Sequence, residues 1–384
     1  MRRLASLDFM RGLIMVLLAL ESTALYEHFF EASENSILNS FFLQFFHHPW
    51  NGLRFWDLIQ PAFMFMAGVA MAYSLHQQKQ NGFSWKNSFL KILKRSGWLF
   101  FWGVLDYAVR PKGLSFELWD VLTQLSFTTL VAFLIFEWSA FYQIIFSVGL
   151  LLLTEYLYRG THITGFDMPF VDQHNFGNYM DSLLMHKINA DGWVAINCIP
   201  TAVHTIAGAL VGKLLLGTGI KMEKEYINQK EIANKEITNK EEGLLKIKTI
   251  LFFAMACLVL GFGLDYLGVT PIIKRIATSS FTLASLGWCL IGLALCYWWI
   301  DILDHKKYLL FFAIVGMNSL FIYLFFEIVG AGWFNGYITS ISSGLLNMLH
   351  LPVIIVQIGS SLTIFALEWS ICYFLYKKKI FFKI

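Results

Sequence analysis

The feature that most constrains this chain is a series of ten apolar windows, each close to the length that spans a bilayer. A transmembrane helix needs roughly 20 mostly apolar residues, and such windows lie near 8–27, 55–75, 94–110, 119–137, 139–157, 194–216, 247–267, 279–300, 308–328 and 353–376. Composition agrees: of 384 residues, 57% are hydrophobic and 14% charged, against roughly 45–50% and 25% in soluble domains. The sequence therefore reads as an all-α polytopic membrane protein of about ten transmembrane helices. Residues 337–350 are read as an outer loop with a surface helix; a short or re-entrant segment there would make eleven. The basic, apolar start is read as a retained first span, because no small-residue cleavage site follows it.

Between the sixth and seventh windows runs a stretch dense in Lys, Glu and Asn, the composition of a solvated connector. It divides the chain into a six-span half (1–216), a charged linker (217–246) and a four-span half (247–384), with no evident repeat between the halves. With the N-terminus inside, cytoplasmic segments hold 21 of the 29 Lys and Arg residues and outer segments seven, among them Arg110 and Lys112. That excess satisfies the positive-inside rule. Both termini are then cytoplasmic, and segments 26–54 and 158–192 face outward. A formal charge of +3 with scattered carriers gives no basis for a nucleic-acid partner. The five cysteines are odd in number and lack CxxC spacing, so neither a disulfide framework nor a metal site is expected.

Ionisable groups within apolar runs are costly, roughly 2.5–3.5 kcal/mol at mid-span on insertion scales, and ask for a reason. Asp8, Arg11, Glu21, Asp57, Asp265, Glu327 and Glu368 are such groups. Asp8 and Arg11 stand three apart on one helix face and can pair. Asp57 precedes Pro61 at the start of a span, a position suited to capping. His47-His48-Pro49-Trp50-Asn51-Gly52 sets two imidazoles, an indole and a carboxamide at the outer boundary of the second span. Aromatic anchoring accounts for the tryptophan; histidine, however, suits proton transfer near neutral pH, and Asn51 can orient an acyl oxygen. His204 and His305 read as structural or solvated. No P-loop, GxSxG elbow or HExxH occurs.

These residues resemble the heparan-alpha-glucosaminide N-acetyltransferase family of membrane acetyltransferases and its bacterial relatives. Ser6-Leu7-Asp8-Phe9-Met10-Arg11-Gly12 is similar to the family's S-[LV]-D-x-x-R-G. His47-x-x-Trp50-Asn51-Gly52 followed by Asp57-Leu58-Ile59-x-Pro61 is similar to its H-x-x-W-N-G-x-x-x-x-D-L-[IV]-x-P at the same spacing. Arg95-Ser96, Gly208-x-x-x-Gly212-Lys213, Pro271-x-x-Lys274, Gly316-Met317-Asn318-Ser319 and the basic C-terminus extend the likeness over nearly the whole chain. It departs at Glu21-Ser22, where the family commonly carries Asn, at Leu122-Thr123-Gln124, where the family reads L-Q-R, and in a shorter outer loop 158–192.

The resemblance implies transfer of an acetyl group from cytoplasmic acetyl-CoA to the amino group of a terminal glucosamine, as on heparan sulfate and related glycosaminoglycans, across the membrane. His47 then becomes the active-site histidine, whereas His48 falls on a variable position. Asn51 and Asp57 join it as catalytic candidates. Trp50, Glu21, Ser22, Lys274 and Asn318 are acceptor-side candidates, and Asp8, Arg11, Arg95 and Lys213 are candidates for holding acetyl-CoA. The implied partners are acetyl-CoA, an amino-sugar acceptor and the bilayer, with a homodimer allowed for, and the implied location is a bacterial inner membrane. The competing functions are a polysaccharide O-acyltransferase and a proton-coupled transporter built on Asp8, Glu21, Asp57 and Glu327.

Overall fold

The computed structural model describes residues 4–34, 36–109, 114–217 and 235–382. Arg2, Arg3, Arg110, Lys112 and linker residues 218–234 lie outside the described residues. The chain is an all-α integral membrane protein. Its helices, in order, are α1 (Ala5–Ser22), α2 (Leu25–Ala32), α3 (Ile37–Phe42), α4 (Ile59–Gln80, entered through a 3₁₀ turn at Phe55–Leu58), α5 (Trp85–Ala108), α6 (Val121–Leu134), α7 (Ala140–Gly160) and α8 (Phe176–Met185). They continue with α9 (Cys198–Leu216), α10 (Lys235–Tyr266), α11 (Ser279–Cys296), α12 (Leu309–Met317), α13 (Ser319–Leu324), α14 (Asn335–Asn347) and α15 (Val353–Lys377). Wide π-helical turns prolong α11 to Ile302 and join α13 to α14.

Seven helices among the described residues are long and apolar enough to cross a membrane, or eight if the bent pair α1 and α2 counts as one span. The departures from ten have physical causes. The expected window 94–110 belongs to α5, whose first half carries Lys86, Lys91, Lys94 and Arg95. The window 119–137 condenses to α6, 14 residues long and so only about 21 Å, short of a ~30 Å hydrocarbon core. The first window is not one rod. It bends by 68° between α1 and α2, with Ala24 left-handed at φ 59°. The carbonyls freed by the bend are satisfied from elsewhere in the chain: Ser361 donates to Thr23 (2.6 Å) and Asn335 to Ser22 (2.8 Å).

The surface helix expected within 337–350 is present through Asn347, but it is continuous with the helical stretch from Ser319 and does not stand apart in a loop. Its Ser, Thr, Asn and Gly content reads as a loop in sequence, yet α14 packs lengthwise on α15. The seventh window also begins earlier than expected, because α10 is already helical at Lys235.

Helix starts are capped by the side chains the sequence offers: Ser84 for α5, Asp120 for α6, Asn175 for α8 and Thr278 for α11, each satisfying an N–H that has no partner inside its helix. The tightest helix pairs meet at glycines. A Cβ on Gly208 would overlap the Phe65 carbonyl, one on Gly68 the Thr205 carbonyl and one on Gly12 the Phe312 carbonyl. Thus α4 lies directly on α9 and α1 on α12, as small residues allow in membranes.

Candidate active site

At one end of the bundle, the segments before α4, after α7 and between α10 and α11 are knitted together. Asn51 forms an antiparallel bridge with Ile273, and Gly52 N donates to the Ile272 carbonyl at 2.8 Å. Trp50 Nε1 donates to the Phe170 carbonyl at 2.8 Å, and the Arg275 guanidinium donates to the Asp191 carbonyl. Gly52 holds φ +144°, and a Cβ there would meet His48 Nε2 at 2.6 Å. Glycine is therefore required at that turn. The His48 ring lies over it, in a structural position.

This bridge decides which side chain reaches His47. With Ile273 paired to Asn51, the next residue, Lys274, places Nζ 3.0 Å from His47 Nδ1 and 3.7 Å from Asp57 Oδ1. Asp57 Oδ1 is itself 3.1 Å from His47 Nδ1. The other carboxylate oxygen, Oδ2, accepts from the backbone N–H groups of Arg54 (2.8 Å) and His48 (3.3 Å). Asp57 thus caps the helix entrance with one oxygen and faces the His47 imidazole with the other. Arg54 Nη1 closes the turn by donating to the His47 carbonyl at 3.0 Å. Trp193 meets the His47 ring edge to face at 5.8 Å and takes Lys274 over its own ring at 5.2 Å.

Burial and, secondly, the Lys274 charge hold the His47 imidazole down to about 4, against the opposing pull of Asp57. It is neutral at physiological pH. Burial pushes the Lys274 ammonium down to about 8, with Asp57 and Glu21 resisting. Lys274 is the only cation touching His47 Nδ1 among the described contacts, and it creates a conflict. Asp57 can only accept from that nitrogen when ionised, and charged Lys274 can only donate to it. The two contacts cannot both be hydrogen bonds in one tautomer. The protonation of Lys274 therefore selects between Nε2 as a lone pair, fit for a base or nucleophile, and Nε2–H, fit for a donor.

The remaining candidates are spread over three places. Glu21 belongs to this end, accepting from Trp56 Nε1 at 2.7 Å. Ser22 spends its hydroxyl on the Ala19 carbonyl of its own helix. Asn318 does not join His47: its Nδ2 donates to the Ile380 carbonyl (3.1 Å) and its Oδ1 accepts from Phe382 N (3.0 Å), clamping the C-terminal tail.

Asp8, Arg11 and Arg95 come together on a cavity of about 610 Å³, which Phe381 and Phe382 also line. Arg95 Nε is buried there without a hydrogen-bond partner among the described residues. Lys213 is elsewhere. It donates to the Phe136 carbonyl, stands 4.0 Å over the Phe136 ring and borders a separate cavity of about 600 Å³.

The basic cavity follows α4 from Phe63 to Gln77, about 21 Å of helix, and ends six residues, about 9 Å, below Asp57. Gln60, hydrogen-bonded to Gln124, lies in the interval. Beside it Tyr323, which also lines the cavity, donates to Asp120 Oδ2 at 2.8 Å. Sequence reasoning did not single out Trp193, Arg275, Asp106 or Asp120. The last two are carboxylates inside or at the edge of expected windows and met the criterion that selected Glu21, whereas nothing marks Trp193 before its contacts are seen.

No family model and no curated protein matches this chain. The geometry at His47 therefore carries the functional reading.

Proposed function

We propose that the chain is a membrane acetyltransferase that moves an acetyl group from acetyl-CoA, admitted on the Arg11 and Arg95 side, to the amino group of a terminal glucosamine-type sugar arriving at the His47 side. The observation that carries this reading is the placement of both parts on one helix: α4 holds Asp57, and through it His47, at its start, and walls the basic cavity with the rest of its length. An elongated donor with phosphates at one end and a thioester at the other fits that layout, with Arg11 and Arg95 meeting phosphate. Both termini then lie in the cytoplasm, and the proposed compartment is the inner membrane of a bacterium.

In the proposed reaction the sugar amine attacks the thioester carbonyl, a C–N bond forms, the C–S bond breaks and CoA leaves as thiolate. The amine proton passes to His47 Nε2, the imidazole being held by Asp57 in the tautomer whose Nδ1–H faces the carboxylate. Lys274 permits this tautomer when it is neutral, because its charged form donates to Nδ1 instead. A second reading, a proton-coupled transporter, is favoured by Asp120 and Tyr323, which set a buried carboxylate and phenol between the cavity and the His47 end.

The test is incubation of purified protein with isotopically labelled acetyl-CoA and a glucosamine-terminated oligosaccharide, read by mass spectrometry. Label on the sugar nitrogen, absent with an N-blocked acceptor, is the expected outcome. Label on a hydroxyl points to the O-acyltransferase, and no transfer with no acetyl-CoA turnover overturns the acetyltransferase reading.

A further inference from the structure

The second cavity lies outside the proposed reaction path. It opens between α7 and α10, and its floor is α9 and α11. Both flanking helices face outward, with 17% of the apolar 18-residue stretch of each buried. Val148 and Phe253 at its edges are 49% and 45% exposed. Its walls are largely aliphatic, contributed by residues such as Leu151, Val203, Ala207, Ile250 and Leu286, and charged groups gather at one end only.

That end is basic. Lys79 closes α4 and Lys213 the last turn of α9; His76 stands beside them, and Glu137 is the one carboxylate of the mouth among the described residues. Lys79 lies 3.9 Å from Glu137 and is largely exposed, so one carboxylate faces two ammonium groups. From Lys213 to Val203 the floor runs ten residues along α9, about 15 Å. This is half of a ~30 Å hydrocarbon core and therefore the depth of one leaflet. A water-soluble ligand has no use for such a lateral, aliphatic slot, and an uncharged lipid none for its cationic mouth.

We propose that this cleft seats an anionic glycerophospholipid of the leaflet on the side of the α4–α5 turn, its phosphate at Lys79 and Lys213 and an acyl chain along α9 and α11. On this assignment Lys213 reads the membrane and belongs to no donor site. The inference is independent of whether the chain transfers acetyl groups.

The test uses full-length protein, delipidated in mild detergent, then offered phosphatidylglycerol or phosphatidylcholine with identical chains. Bound lipid is counted by native mass spectrometry. The wild-type protein retains phosphatidylglycerol in preference. Lys79→Gln and Lys213→Gln each lose on the order of fivefold of that preference, the usual worth of one cation near an anionic headgroup, while Ala207→Phe, which fills the floor, loses both lipids. Equal retention of the two lipids by wild type overturns the proposal without reference to any variant. Displacement of bound phosphatidylglycerol by acetyl-CoA also overturns it, because the mouth would then be a nucleotide site.

Discussion

Replacing Lys274 by Met should raise the pH at which His47 takes up a proton. A unit charge 3.0 Å from the ring is worth about 5.5 kcal/mol at an effective dielectric of ~20, which at ~1.36 kcal/mol per pH unit sets a ceiling of about four units. The real effect is smaller, because the ring is about a third exposed (37%) and solvent screens the pair. A rise of about one to three units is expected, from about 4 to between about 5 and 7. It stops there because burial, the larger cause, remains.

The direction is unambiguous. Removing a cation stabilises imidazolium, and Asp57, left unopposed, stabilises it further. The assay is the pH dependence of diethylpyrocarbonate modification of the His47 peptide in a His48→Gln background, since only neutral imidazole reacts. A midpoint that stays put or falls would show that Lys274 does not act on His47 in solution, and the tautomer argument would fall with it. Because the readout is chemical reactivity, the result stands whatever the protein catalyses.

Three further outcomes follow from the geometry. His47→Ala should lose on the order of 10²–10⁴-fold in acetyl transfer, while His48→Ala, whose ring only covers Gly52, keeps most of it; equal losses measured with labelled acetyl-CoA would remove His47 from the chemistry. Arg95→Gln should raise the apparent acetyl-CoA constant on the order of tenfold by losing a charge-assisted contact, whereas Lys213→Gln leaves it unchanged, and steady-state kinetics with acceptor held saturating decides between them. For topology, a cysteine replacing Lys307 should react with an impermeant maleimide only from the cytoplasmic side and one replacing Gln173 only from outside; the reverse pattern would invert the charge-based orientation.

How much of this was legible in the sequence depends on how local each feature is. The eleven residues from His47 to Asp57 form one turn and one helix entrance, so their spacing already held the imidazole–carboxylate contact. Asp8 and Arg11, three apart, were likewise readable as neighbours on one helix face. Lys274, in contrast, is 227 residues from its partner and reaches it only because Asn51 bridges Ile273, a register that no local pattern encodes.

Charge counting assigned Arg95 and Lys213 to one expected side but could not say which cavity each would line, because side is a property of the segment and cavity a property of the packing. Asn318 stood in a recognisable motif, yet its carboxamide is taken by the backbone of the C-terminal tail. The packing of Asn335–Asn347 was hidden for a related reason: its polar residues suggest solvent until α15 is seen beside it.

The glycine contacts have a mechanical consequence for the basic cavity. Its walls come from α1, α4, α5, α6, α12 and α13, and three backbone contacts stiffen them: α1 against α12, α4 against α9 behind it, and α5 against α6, where Gly103 abuts Thr123. Backbones in direct contact leave little room for sliding within a pair. The cavity is therefore a joint among three stiff bodies, and its shape can change only as those bodies shift relative to one another. Whatever it holds is sensed as a displacement of whole helix pairs, and a single added methyl at Gly208, on the far side of α4, would resize the cavity without touching its lining.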